Sequence, residues 1–264
     1  MLTIAIYLAF GVLVGILAGL LGIGGGVVLV PILDFTLPLD GISASVAHHM
    51  ALATSMSSIM FTSLSSTRSH NKRGTVRWDI VKAMTPGLLA GTLAGTFVVS
   101  GIPTGPLKII FAVFLTYTAV QMVLDIKPKA SFHLPGPVGL VLAGTVIGVV
   151  SSFVGIGGGA LIIPFLVMCN VPMINVIGAS AAMGFPIALA GTAGFIINGL
   201  GNPALPTYSL GFIYLPALIG LVLTSMLFAP YGAKLSHTLP VKTLKRFFGI
   251  MLFAMAARMA YSIM

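Results

Sequence analysis

Leu21-Gly22-Ile23-Gly24-Gly25-Gly26-Val27-Val28-Leu29-Val30-Pro31 and Val154-Gly155-Ile156-Gly157-Gly158-Gly159-Ala160-Leu161-Ile162-Ile163-Pro164 are one segment written twice. The offset from Leu21 to Val154 is 133 residues, and the same offset carries Gly11 onto Gly144 and Gly15 onto Gly148. Further along, Ala53-Thr54-Ser55 matches Gly178-Ala179-Ser180 and Gly74 matches Gly199; near the ends, Leu107-Lys108 and Phe111 match Leu244-Lys245 and Phe248. A recurring period of this kind marks a duplicated structural unit. Residues 1–126 and 136–264 therefore read as two repeats joined by a short polar linker, 127–135, that carries Lys127, Pro128, Lys129, His133 and Pro135.

Around these segments the chain is apolar almost throughout. Of 264 residues, 58% are hydrophobic and 6% charged, against about 25% charged in soluble domains. A soluble protein so poor in charge could not cover its surface, whereas lipid removes that demand. The 32 glycines and 16 prolines would damage soluble helices but are tolerated in membrane ones. The net charge of +9 sits in short clusters between long apolar runs, the pattern of cytoplasmic loops facing anionic lipid and not of a nucleic-acid surface. Cys169 is the single cysteine, so no intramolecular disulfide forms. Met1 to Phe10 has no Lys or Arg, so the positive region of a signal peptide is not expected there.

Each repeat holds four apolar stretches, at 3–37, 43–67, 79–101 and 105–125, then 137–169, 172–198, 207–232 and 241–263. A helix needs about 20 residues to cross a bilayer. Six of the eight stretches fit one span. The first of each repeat is too long for one and too short for two, and its glycine run falls about twenty residues in. Glycine there ends the helix, leaving a full arm before it and a half-length arm beginning at Val27 or Ala160. The expected fold is an all-α polytopic membrane protein of two inverted repeats, each a Gly-broken or re-entrant first element followed by three transmembrane helices.

Charge distribution chooses inversion. With eight single spans, the loops at 68–82 and 127–133 would hold seven Lys or Arg on one side and those near 108 and at 234–246 five on the other. With inverted halves, Arg68, Lys72, Arg73, Arg77, Lys82, Lys127, Lys129, Lys234, Lys242, Lys245 and Arg246 all lie inside, and only Lys108 and Arg258 of the 13 basic residues lie outside. The positive-inside rule favours the second arrangement. Both termini are then expected outside.

Inverted repeats with broken helices place a substrate site near the midplane. The first expected site is the pair of glycine turns, Gly24, Gly25 and Gly26 with Gly157, Gly158 and Gly159. Two half-helix N-termini would there present backbone N–H groups and positive dipole ends to an anion. The bland alternative is close helix packing, to which a Gly11, Gly15 and Gly19 ridge is also suited. The second feature is a polar stripe of His48, Ser55, Ser58, Thr62, Ser66 and Ser69 at helical spacing. Its repeat partner, Ser180, Met183, Ile187, Gly191 and Gly194, is smaller and less polar. The stripe, with Thr54, Ser55, Ser58, Thr62 and Ser180 as substrate contacts, reads as the lining of a wet path or as interhelical hydrogen bonding.

Ionisable residues within a membrane are functional suspects. The chain has no glutamate, and Asp34, Asp40, Asp79 and Asp125 all fall near span ends. No carboxylate at mid-span points to sodium or proton binding there, which favours an anionic or neutral substrate. His48 and His49 stand near the outer end of their span, as proton carriers or as an interfacial pair bonding backbone. Arg68 and His70 end that span and are candidates for gating at the inner mouth. Lys108 and Arg258 are expected to snorkel to the interface. No metal or cofactor is expected.

Taken together, the doubled Gly-Ile-Gly-Gly-Gly with its apolar run and proline at 22–31 and 155–164 resembles the TauE/SafE sulfite exporter family. So does Ala53-Thr54-Ser55 through Thr62-Ser63-Leu64-Ser65-Ser66, with His70 and Gly74-Thr75-Val76-Arg77-Trp78. Ile177-Gly178-Ala179-Ser180 and Gly191-Thr192 to Gly199 look like the second-half counterpart. The resemblance implies export of sulfite or sulfonates across a bacterial inner membrane. The alternative on the same scaffold is another small anion or organic acid, or uptake. An intramembrane hydrolase is disfavoured. Gly178-Ala179-Ser180-Ala181 lacks the glycine expected after the serine, and the second repeat holds only His237 as a base, near a loop. The expected partners are the bilayer and a small anion; monomer and homodimer are both open.

Overall fold

The computed structural model describes residues 2–21, 25–124, 131–235 and 241–261. Gly24 of the expected anion-binding turn, and residues 127–130 of the expected linker, lie outside them. The described chain is nearly all helical: α1 (Leu2–Leu21), α2 (Gly26–Leu39), α3 (Ala44–Lys72), α4 (Trp78–Ser100), α5 (Thr104–Val123), α6 (Pro137–Val154), α7 (Gly159–Met168), α8 (Met173–Gly199), α9 (Leu215–Leu235) and α10 (Val241–Tyr261). Helices α4, α5, α6, α8 and the Leu215–Gly232 part of α9 are each long and apolar enough to cross a membrane.

The glycine runs do break the helices. Gly25 and Gly158 precede α2 and α7 with φ of 74° each and ψ of −9° and −11°, a left-handed conformation that a residue with Cβ adopts at a cost. The half-helices start at Gly26 and Gly159, one residue before the expected Val27 and Ala160, and are 14 and 10 residues long.

The main helix interfaces are α1 with α9, α4 with α6, α3 with α8, α5 with α10 and α4 with α8, and α3 also packs on α9. If α1–α5 are exchanged for α6–α10 in order, this set of pairs maps onto itself. Helices α3 and α8 form the centre, with buried residues along most of their length. The other helices form a rim. Their outer faces carry exposed apolar side chains such as Val113 and Tyr117 on α5, Val138 and Leu142 on α6, and Leu223 and Leu227 on α9.

Small residues let the rim pairs close to backbone contact. A Cβ placed on Gly144 would stand 2.6 Å from the Met84 carbonyl, and one on Gly148 2.7 Å from that of Leu88. On α1, a Cβ at Gly15 would stand 2.5 Å from the Ser225 carbonyl of α9. The packing reading of Gly11 and Gly15 is thus the correct one.

One part of the chain departs from the all-helical expectation. In the 207–232 stretch, β1 (Ser209–Leu210) pairs antiparallel with β2 (Ile213–Tyr214), and the helix starts only at Leu215. Tyr208 and Gly211 have positive φ, 68° and 56°, which no helix accommodates. The hairpin sits over the core: Phe212 stacks on His49 with ring centroids 5.4 Å apart, and the Tyr214 N–H donates to Thr54 Oγ1 at 3.0 Å.

Candidate functional site

The two breaks meet. A Cβ on Gly26 would lie 2.8 Å from the Gly155 carbonyl oxygen and 3.0 Å from Ile156 Cα, so the start of α2 abuts the end of α6. Gly155 is itself left-handed, φ 64°, and caps α6 by donating its N–H to Ser151 O at 2.9 Å. From α3, Ser55 Oγ donates to Gly155 O at 2.8 Å and fixes the break in place. Ile59, one turn on, fills the junction: its Cδ1 faces Gly26 and its Cγ2 faces Gly157. From α8, Gly184 approaches Gly157 O. No side chain caps α2 or α7. The initial N–H groups of a helix have no acceptor within it, so the start of α2 brings free donors to the break that leads into α7.

On the helices that meet here, the buried hydroxyls of Ser58 on α3, Ser151 on α6 and Ser180 on α8 make no hydrogen bond. Natural structures satisfy most buried polar groups, so each is informative. Ser66 of the stripe is likewise without a partner, whereas Ser55 and Thr62 are satisfied by protein. Thr62 Oγ1 donates back to Ser58 O and Ile59 O, and Thr54 holds the hairpin. The equivalents of Thr54, Ser58 and Thr62 in the second half are Ala179, Met183 and Ile187. The polar face therefore belongs to α3.

A second centre lies at the N-terminal end of α3. Asp34 on α2 accepts from His48 Nδ1 through Oδ1 at 3.1 Å, and pairs with Lys108 Nζ through Oδ2 at 3.0 Å. The three side chains are 10%, 0% and 14% exposed. The ionised carboxylate only accepts, so the His48 proton in that bond is on Nδ1. Its Nε2 is buried and makes no hydrogen bond, and the ring edge rests on Phe111. Lys108 does not snorkel: it turns inward because Asp34 offers it a counter-charge. Arg258 does not simply reach for water either, and lies over the Phe35 ring at 3.6 Å. At the offsets of the flanking repeats, Asp34 and His48 correspond to Val167 and Met173. The second half folds without this cluster, so the fold itself does not require it.

His49 has another occupation. Its Nε2 lies 3.2 Å from Val99 O and 3.1 Å from Ile102 O, clamping the end of α4. Arg68 and His70 are at the opposite end of α3. Arg68 is exposed, and His70 lies 3.3 Å from Thr75 Oγ1. Neither is brought to the glycine junction or to His48. Asp34 is the residue that sequence reasoning passed over. The signal was there: it is the single charge in an otherwise apolar half-helix, three residues after Pro31.

A sheath of apolar helices around the central α3 and α8, with two helix breaks and polar and ionised groups sequestered inside, defines a multi-pass membrane transporter. The chain belongs to the sulfite exporter TauE/SafE family, whose profile matches residues 7–259. It is 38% identical to a probable membrane transporter protein of Haemophilus influenzae over 97% of each chain. It is 28% identical to one of Methanocaldococcus jannaschii, covering 93% of this chain and 91% of the relative. A Bacillus subtilis relative of the same description is 27% identical, with 88% and 90% covered. No solved structure matches the chain.

Proposed function

We propose that the protein is a secondary transporter exporting sulfite, or a related sulfur oxyanion or organosulfonate, across the bacterial inner membrane. The observation that carries the reading is the close approach of Gly26 to Gly155, which sets the start of α2 against the break that leads into α7. Helix N-termini hold oxyanions through backbone N–H groups and the dipole, without a basic side chain. Gly25, Gly26, Gly157, Gly158 and Gly159 form the cradle, and Ser58 and Ser180 supply hydroxyl donors that no protein group uses. Ile59 occupies the junction in this conformation, so the anion enters as Ile59 leaves.

The same reading takes residues 1–126 and 136–264 as inverted repeats around the 127–135 linker, with both termini periplasmic. The exchange symmetry of the helix pairs and the shared backbone geometry of Gly25 and Gly158 support it. His48 is the coupling residue in this scheme, because Asp34 and Lys108 surround it with charge away from water.

The test is flux of radiolabelled sulfite in everted membrane vesicles from cells with and without the protein. Expected is accumulation that depends on the protein and is lost in Gly158→Val. Accumulation only in right-side-out vesicles would make the protein an importer. Sulfite-independent behaviour with protein-dependent flux of a sulfur-free organic acid would move the substrate outside this class.

A further inference from the structure

A cleft of about 460 Å³ opens between α2 and α10, at the end where α5 begins. Its walls are apolar, formed by Phe10, Phe35, Leu39 and Met255, and its polar groups are Asp34, Lys108 and Arg258. Phe35 and Leu39 are 42% and 61% exposed, which on a membrane helix means they face acyl chains. Lys108 is in the first turns of α5 and Arg258 in the last turn of α10, so both cations stand at helix ends, the depth of lipid headgroups.

The charges in the cleft do not cancel. Asp34 is shared between Lys108 and His48. Among the described residues, no carboxylate lies within ion-pair distance of Arg258. Its guanidinium carbon stands 3.6 Å from the centre of the Phe35 ring, and its N–H groups can give an oxyanion a two-pronged grip. An arginine that only snorkelled would extend along its own helix toward water. A small hydrated oxyanion would gain nothing from the apolar walls, whereas an amphiphile uses both parts.

We propose that this cleft binds an anionic phospholipid, with the phosphate at Arg258 and Lys108 and an acyl chain along Phe35 and Leu39. The site uses no residue of the glycine junction, but it shares Lys108 and Asp34 with the His48 cluster. The lipid phosphate would sit one side chain away from Asp34 and would share Lys108 with it, so membrane composition would reach the Asp34–His48 pair.

Native mass spectrometry of the detergent-purified protein tests this, using dioleoylphosphatidylglycerol against dioleoylphosphatidylcholine. The two share acyl chains and differ in headgroup charge. Expected is retention of the phosphatidylglycerol adduct with roughly tenfold tighter binding than the phosphatidylcholine adduct, because the choline cation offsets the phosphate charge that Arg258 and Lys108 attract. Arg258→Gln should bring the two lipids level, while Arg68→Gln, at the far end of α3, should leave the difference intact. Equal retention of both lipids by the unaltered protein overturns the proposal, as does undiminished preference in Arg258→Gln. Displacement of the lipid by millimolar inorganic phosphate also overturns it, and would make the cleft a site for a free anion. The comparison of lipids on the unaltered protein decides the matter even if the variant is unstable.

Discussion

Ser55 Oγ donates to the carbonyl of Gly155 at 2.8 Å, so the polar central helix of the first half holds the helix break of the second. In Ser55→Ala this buried carbonyl loses its side-chain donor, which costs about 1–3 kcal/mol. The melting temperature in detergent should fall accordingly. Ser180→Ala removes a hydroxyl that bonds to nothing in the protein. It should leave the melting temperature unchanged and weaken substrate binding. Equal destabilisation by both substitutions would contradict this division of roles.

How much of this was readable in advance follows from what kind of contact each feature is. The breaks at Gly25 and Gly158 were legible because a glycine run interrupts an apolar stretch locally, and the structure starts α2 and α7 within one residue of the expected point. The hairpin at 209–214 was not, because its apolar residues blend into the span that follows; only the Gly211 turn separates them. The Asp34, His48 and Lys108 cluster joins three helices, and no spacing along the chain encodes it. Lys108 in isolation has the features of an interfacial lysine; it is the position of Asp34 that turns it inward.

Valine at Gly25 or Gly158 must adopt a φ of 74°, at a cost of about 1–2 kcal/mol for any L-residue and more for a β-branched one. At Gly158 the new side chain also meets Ile187 and Ile162. Both variants should lose flux, with reduced yield in the membrane. Gly136→Ala is the control: its φ is −63° and a Cβ there has open space. It should retain wild-type flux and yield.

His48→Gln should flatten the dependence of flux on pH, because it removes the titratable group from the Asp34 cluster. His49→Gln should instead loosen the end of α4, lowering the melting temperature with the pH profile unchanged. Flux measured across pH in proteoliposomes separates the two. An unaltered profile in His48→Gln would sink the coupling role.

Asp34→Asn strands Lys108 in a site where it is 14% exposed, and breaking such a pair costs about 3–5 kcal/mol. Adding Lys108→Met should restore most of that stability, since no charge is then left without a partner. Chemical unfolding of the single and double variants gives the coupling energy; a double variant no more stable than Asp34→Asn would show that the pair is not what holds α2 to α5.

Alkaline phosphatase fused after Met264 should be active, and the same enzyme inserted in the 68–82 loop inactive, if the termini face the periplasm. A silent C-terminal fusion in a well-expressed protein would reverse the topology and with it the inversion of the repeats.

The pairing of α1 with α9 has a consequence for how the chain is made. Helix α4 meets α6 soon after it leaves the ribosome, but α1 ends at Leu21 and its partner begins at Leu215. At about 5–20 residues per second, that interval is on the order of ten seconds or more. Throughout it, the face of α1 that carries Gly11 and Gly15 has no neighbour to receive. Helix α1 is thus made long before the helix that seats it. A defect in its groove would be felt only when the rest of the bundle is already built, leaving an assembled protein with one loose helix for membrane proteases to find.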